Sequence, residues 1–242
     1  MLPFAPYQLV LGALAGALVG VAKTGVPGLG ILVVPLMVLV VGDARQSAGW
    51  LLPVLCTADV FAVFYWRRHV AASRLFALAP WVLGGMAIGA VVLSLQEHTL
   101  RIIVGTIVLV MLAAYVVRRH WPGILPEQGH AAPYGVTAGF ATTVANAAGP
   151  VMNLYLLSRR LTKEEFVATG AWFFFIINLM KVPIYLWHGL ISGRSLLFNA
   201  LLVPAVLAGA LTGRWLVRHM SERIFELLVV SLTVLSTVLL FV

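Results

Sequence analysis

Apolar residues fill eight long runs of the chain, at 7–41, 46–66, 75–95, 100–117, 133–157, 166–187, 195–216 and 224–242, with only short polar stretches between them. Each uninterrupted run has the roughly 17–25 residues that cross a bilayer as a helix. The pattern predicts an all-α integral membrane protein with about eight membrane segments. Two runs are interrupted. The first, 7–41, would measure roughly 50 Å as one helix, against a hydrocarbon core of about 30 Å. Helix breakers crowd its middle, in Lys23-Thr24-Gly25-Val26-Pro27-Gly28-Leu29-Gly30. A break there predicts two half-length pieces folded back as a re-entrant hairpin, with a long tilted or kinked helix as the alternative. The run 133–157 carries a muted copy in Asn146-Ala147-Ala148-Gly149-Pro150, followed by Asn153.

Lys23 and Asn146 stand 123 positions apart, and other landmarks repeat with nearly the same offset. Trp50 precedes Asp59 as Trp172 precedes Lys181, while Pro80, Gly85 and Gly89 match Pro204, Gly209 and Gly213. This predicts an internal duplication: repeat 1 at 1–120, a linker at 121–132 rich in Pro and Gly, and repeat 2 at 133–242, together one transport domain. Each repeat holds a broken or re-entrant segment and three full helices. Since three is odd, the repeats face opposite ways in the membrane, as two inverted repeats. The Gly85/Gly89 and Gly209/Gly213 faces let helices approach closely and could close the repeats within one chain or join two copies as a homodimer.

Charge orients the chain. If both broken segments are hairpins, Arg67, Arg68, Arg74, Arg118, Arg119, Arg159, Arg160, Lys163, Arg218 and Arg223 share one side, and only Arg45, Arg101 and Arg194 the other. The richer side is then cytoplasmic. If both segments cross once, the split is nearly even and orients nothing. The net charge of +8 belongs to these short loops and forms no continuous stripe, which argues against nucleic acid as a partner. Composition agrees with a bilayer setting: 62% of residues are apolar and 10% charged, with a mean hydropathy of +1.03. The first run lacks a basic leader and an Ala-x-Ala-like cleavage site, so the mature chain is expected to start at Met1. Cys56 is the single cysteine, which excludes an intrachain disulfide and a multi-thiolate metal site. No cofactor and no metal are expected.

A lysine inside an apolar segment is costly in hydrocarbon and marks a functional position. In each hairpin the second half-helix begins after the break, near Gly28 and near Pro150, and its free N–H groups and positive dipole end suit an anion. Lys23 and Asn146 precede those starts at equivalent positions. Thr24 and Asn153 add donors, and Gly25, Gly28 and Gly149 let backbone N–H groups approach a ligand. The bland alternatives are a snorkelling or acid-neutralising Lys23 and asparagines that bond helix to helix. Asp59 and Lys181 hold equivalent places in the second helices. They form either an ion pair between repeats or a second cation with a carboxyl that takes up a proton during transport. Arg214 is read as snorkelling at a helix end. Trp66, Trp121, Trp187 and Tyr115 are read as interfacial anchors, and His69, His120, His188 and His219 as solvated.

The paired glycine-rich first segments, one ending Gly28-Leu29-Gly30 with Pro35 downstream and the other Gly149-Pro150, in about 240 residues of two halves, resemble the sulfite exporter TauE/SafE family of membrane permeases. The resemblance covers essentially the whole chain. It implies movement of sulfite, organosulfonates or related sulfur-containing or carboxylate anions across the bacterial inner membrane. Lys23-Thr24-Gly25-Val26-Pro27-Gly28 stands where that family usually has a more continuous glycine run, which leaves the particular anion open. The expected function is a secondary transporter of small anions by alternating access. Lys23 and the half-helix starts bind the anion, Asn146, Thr24 and Asn153 orient it, and Lys181 with Asp59 balances charge or couples to protons. Sodium coupling, import and export all stay open. A passive anion channel is the runner-up. An intramembrane enzyme stands behind it, because the chain has no Gly-x-Ser-x-Gly or His-Glu-x-x-His motif and no pair of embedded acids.

Overall fold

The computed structural model describes residues 4–92, 96–121, 130–145 and 147–241. Every regular element among them is helical: α1 (Pro6–Thr24), a 3₁₀ turn (Leu29–Leu32), α2 (Val33–Val41), α3 (Ala44–Trp66), α4 (Ala72–Val91), α5 (Glu97–His120), α6 (Ala131–Ala145), α7 (Ala148–Ser158), α8 (Lys163–Trp187), α9 (Gly193–His219) and α10 (Glu222–Val238). Six of them, α1, α3, α4, α5, α8 and α9, are long and apolar enough to cross a membrane. Large apolar side chains point outward, among them Phe76, 74% exposed, and Val91, 81% exposed, as expected of surface meant for lipid.

Polar residues set the helix boundaries. Asp43 caps α3 by accepting from the Gln46 N–H at 2.7 Å, and Ser192 caps α9 by accepting from the Ser195 N–H at 3.2 Å. Gly42 (φ 83°) and Gly189 (φ 64°) take the left-handed conformation just past α2 and α8, where a side chain would be strained.

The chain forms two compact units, Met1–Val70 with Lys163–Ser221, and Ala71–Thr162 with Glu222–Val242. Each therefore draws helices from both halves of the sequence. In the first unit α1 lies along α9, α3 packs on α8 and α9, and α2 returns against α1 and α3. Its core includes Val19, Met37, Val54, Ala58, Leu202 and Val206, with Phe4, Trp50 and Phe198 meeting edge to face. In the second unit α4 lies along α6, and α5 and α10 pack on the α6–α7 pair.

Both broken segments double back. Gln8, at the start of α1, donates its side-chain amide to the Val40 carbonyl at the end of α2, at 2.8 Å. Tyr134, early in α6, stacks on Tyr155, late in α7, with ring centroids 5.5 Å apart. The arms of the first hairpin are not the two half-length pieces expected. α1 has 19 residues, roughly 28 Å at 1.5 Å per residue, whereas α2 has nine. The break comes late because nothing before Gly25 forbids helix. Gly12, Gly16 and Gly20 are tolerated because α9 packs directly onto them. In the second hairpin the arms are closer in length, 15 and 11 residues.

The paired glycines close helix contacts within the chain. A Cβ at Gly209 would strike the backbone of Ala17, and one at Gly213 would strike the Thr24 hydroxyl. In the other unit Gly85 meets Val136, and Gly139 meets Val82. Replacing Gln8 with leucine should remove the bond that joins the hairpin ends and lower stability by about 1 kcal/mol, read by thermal unfolding in detergent.

Candidate functional site

The first unit gathers a buried charge cluster beside the first break. Lys23 lies in the last turn of α1, where a cation also opposes the negative end of the helix dipole. Its ammonium stands 2.8 Å from Asp59 Oδ1, and the Asp59 side chain is fully buried. The other carboxylate oxygen accepts a 2.6 Å hydrogen bond from the Asn178 side-chain amide. Phe174, one turn earlier on α8, turns its ring toward Lys23, with the ammonium 4.4 Å from the centroid. Lys181, one turn beyond Asn178 on α8, is also buried.

The sequence singles out Lys23, Asp59 and Lys181; it links Asp59 to its symmetric counterpart Lys181, with an acid-neutralising Lys23 as the bland alternative, and the structure shows that alternative. The ion pair in the structure reaches across from α1 instead. Asn178 and Phe174 were missed. The spacing of 174, 178 and 181 places them on one face of a helix with Lys181, and that stripe could have drawn attention to them.

Thr24 and Gly25 build the end of α1. The Thr24 hydroxyl lies 2.9 Å from the Gly20 carbonyl and 2.7 Å from the Ala210 carbonyl of α9, so it ties the break to its neighbour. The Trp66 indole donates to the Thr24 carbonyl at 3.1 Å, satisfying one of the acceptors that a helix end leaves open. Gly25 sits against Gly213 with no room for a Cβ. Gly28 then takes φ 107°, and the chain winds into the 3₁₀ turn before α2. Two N–H groups of this stretch are already bonded, Leu29 to the Val26 carbonyl and Ile31 to that of Gly28.

In the second unit α7 starts at Ala148, with Gly149 and Pro150 in its first turn, where proline's missing N–H is no loss. A Cβ on Gly149 would meet open space. Asn153 is buried and donates to the Thr233 hydroxyl of α10 at 3.2 Å. Asn146 lies outside the described residues.

Two aromatic assignments change. Trp66 is 3% exposed and caps α1, so it is no interfacial anchor. Tyr115 is buried and donates to Glu226, which also receives Arg119. Trp121 and Trp187 are exposed, as interfacial anchors are. Arg214 stacks on the Tyr65 ring, its guanidinium carbon 4.5 Å from the centroid.

Six helices long and apolar enough to cross a membrane fit a multi-pass membrane protein. A family model described as sulfite exporter TauE/SafE matches residues 10–240, and the chain belongs to that family. Searches of curated proteins and of solved structures return no match.

Proposed function

We propose that the protein is a secondary transporter that carries small sulfur-containing oxyanions, such as sulfite or an organosulfonate, across the bacterial inner membrane by alternating access. One observation carries the reading: the Lys23 ammonium meets the fully buried Asp59 carboxylate at 2.8 Å beside the first break, and a second lysine, Lys181, is buried on α8 of the same unit. Of the chain's eight acids, Asp59 alone lies deep within an apolar segment. Lysines set within apolar segments favour an anion in a low-dielectric interior.

In this reading Lys23 and Lys181 supply the charge that holds the anion. Gly25 and Gly28 bring backbone close to it, while Thr24 and Trp66 hold the tip of α1 in place. By sequence offset, Asn146 is the counterpart of Lys23 in the second broken segment, with Gly149 and Asn153 after it. Two inverted repeats, each with a hairpin and three further helices, are supported by the shared offset and by matched contacts. The first hairpin lies along the third segment of the second repeat, α1 on α9, and the second hairpin along the third segment of the first, α6 on α4. An inside-negative potential by itself favours expulsion of an anion carried in this way.

The test is thermal-shift or calorimetric binding of sulfite, thiosulfate, a short alkylsulfonate and a short carboxylate to the wild type and to Lys23→Ala. A sulfur anion should stabilise the wild type and leave Lys23→Ala unshifted, while both proteins insert normally in the membrane. Equal shifts in the two proteins would refute the role given to Lys23.

A further inference from the structure

We infer that Asp59 couples the carrier to protons: each anion that takes Lys23 crosses with one proton on the Asp59 carboxylate, and the carrier returns without anion with the Lys23–Asp59 pair closed. The inference rests on the proposed function, with Lys23 as the anion's ligand and alternating access. The Lys23 ammonium stands 2.8 Å from Asp59 Oδ1, in a side chain only 12% exposed. The Phe174 ring lies 4.4 Å from it. Carboxylate and anion are therefore alternatives at one ammonium, since two anionic groups crowded on it would repel in a low dielectric. A carboxylate displaced in its ionised form would be left buried without its cation, which is costly.

A proton from water removes both costs. It adds to Oδ1, the oxygen that Lys23 leaves, and forms an O–H bond there, while Oδ2 keeps its 2.6 Å hydrogen bond from Asn178 and stays in place. When the anion departs, that O–H bond breaks, the proton returns to water on the receiving side, and the carboxylate takes back the ammonium. Neither charge is then bare as the carrier reorients, so net transport needs no anion on the far side. The other ionisable groups on the elements packed against α3 are these. On α1 Lys23 is the one charged residue, and α2 carries none. On α8, Lys181 is buried and itself engaged, Lys163, Glu164 and Glu165 occupy the first turn, and Tyr185 lies near the far end. On α9, Arg194 stacks over Phe4 and Trp50 and Arg214 over Tyr65, with Arg218 and His219 in the last turn. On α3 itself Arg45 is at the start, Tyr65 at the end, and Cys56, one turn before Asp59, adds a thiol but no second acid. Asp59 is the one carboxylate that meets Lys23.

The experiment follows methanesulfonate and thiosulfate, neither of which changes its charge near neutral pH, in proteoliposomes of the full chain with the membrane potential clamped at zero. Across a pH difference of one unit, the wild type should concentrate a transported anion about tenfold on the alkaline side, the ratio that one proton per anion sets. Its efflux into anion-free buffer should proceed with nothing on the far side. Asp59→Asn keeps the side-chain shape and an acceptor for Asn178 but neither titrates nor neutralises Lys23. That variant should still exchange labelled for unlabelled anion, should not concentrate it across the pH difference, and should lose at least about tenfold in efflux into anion-free buffer. Undiminished accumulation by Asp59→Asn, or wild-type efflux that requires anion on the far side, would overturn the inference. The wild-type ratio decides by itself if the variant does not fold or carry anion. Wild-type flux that ignores the pH difference would sink this inference and spare the proposed function. Absence of flux of either anion would sink both.

Discussion

Replacing Lys23 with methionine should abolish anion transport and also lower the stability of the folded protein by about 3–5 kcal/mol, the usual cost of stranding one partner of a buried ion pair. Asp59 is fully buried and holds Lys23 at 2.8 Å. Without the ammonium its carboxylate keeps Asn178 but has lost its counter-charge in α1. The two effects have separate causes and can be separated. Adding Asp59→Asn to Lys23→Met removes the stranded charge and should return most of the lost stability, whereas transport should stay at background. Chemical unfolding in detergent reads the first effect and flux into proteoliposomes the second. A double variant that transports at the wild-type rate would show that Lys23 serves only to neutralise Asp59. A single variant as stable as the wild type would show that the pair is not a structural link.

Gly20→Val should be the next most damaging change, at about 3 kcal/mol, the upper part of the range for overpacking a closely fitted contact. A Cβ at Gly20 falls against the backbone of Val206, Gly209 and Ala210, none of which can rotate away as a side-chain tip could. The Thr24 hydroxyl meets the Ala210 carbonyl one turn farther along, so forcing α9 off α1 also loosens the end that presents Lys23. Gly30→Ala provides the contrast. Its Cβ would have no neighbour within 4 Å, and the change should stay within about 0.5 kcal/mol. Thermal unfolding of the two variants side by side checks both statements. A Gly20→Val protein melting with the wild type would mean that α1 and α9 are farther apart than the structure places them.

The membrane class and the break after Lys23 could be read from the chain, because run length and Pro–Gly chemistry are local properties. The start of α7 at Ala148 was legible for the same reason, through Gly149 and Pro150. The unequal arms of the first hairpin were harder to see. Glycine at positions 12, 16 and 20 looks like helix weakness until α9 is known to cover it. The partner of Asp59 was visible only as the bland alternative of an acid-neutralising Lys23. Repeat equivalence joined it to Lys181, while packing joined it to a lysine 36 positions earlier in the sequence. Trp66 and Tyr115 illustrate a general weakness of positional reading. An aromatic near the end of an apolar run looks interfacial, but whether another helix end or an acid claims its polar atom depends on tertiary neighbours.

The interleaving of the two units bears on how the protein is made. Thr24 and the Ala210 carbonyl it meets are separated by 186 residues of chain. At translation speeds of about 5–20 residues per second, α1 leaves the ribosome on the order of 10–40 s before the helix that covers its glycine face. The other unit also waits, since α10 is the last helix of the described chain. Early helices of both units must therefore stay in the bilayer, or under the care of the insertion machinery, with small-residue faces and a buried-charge position uncovered. For this molecule the vulnerable period is biogenesis, and the residues that matter most in that interval are those whose partners are synthesised last.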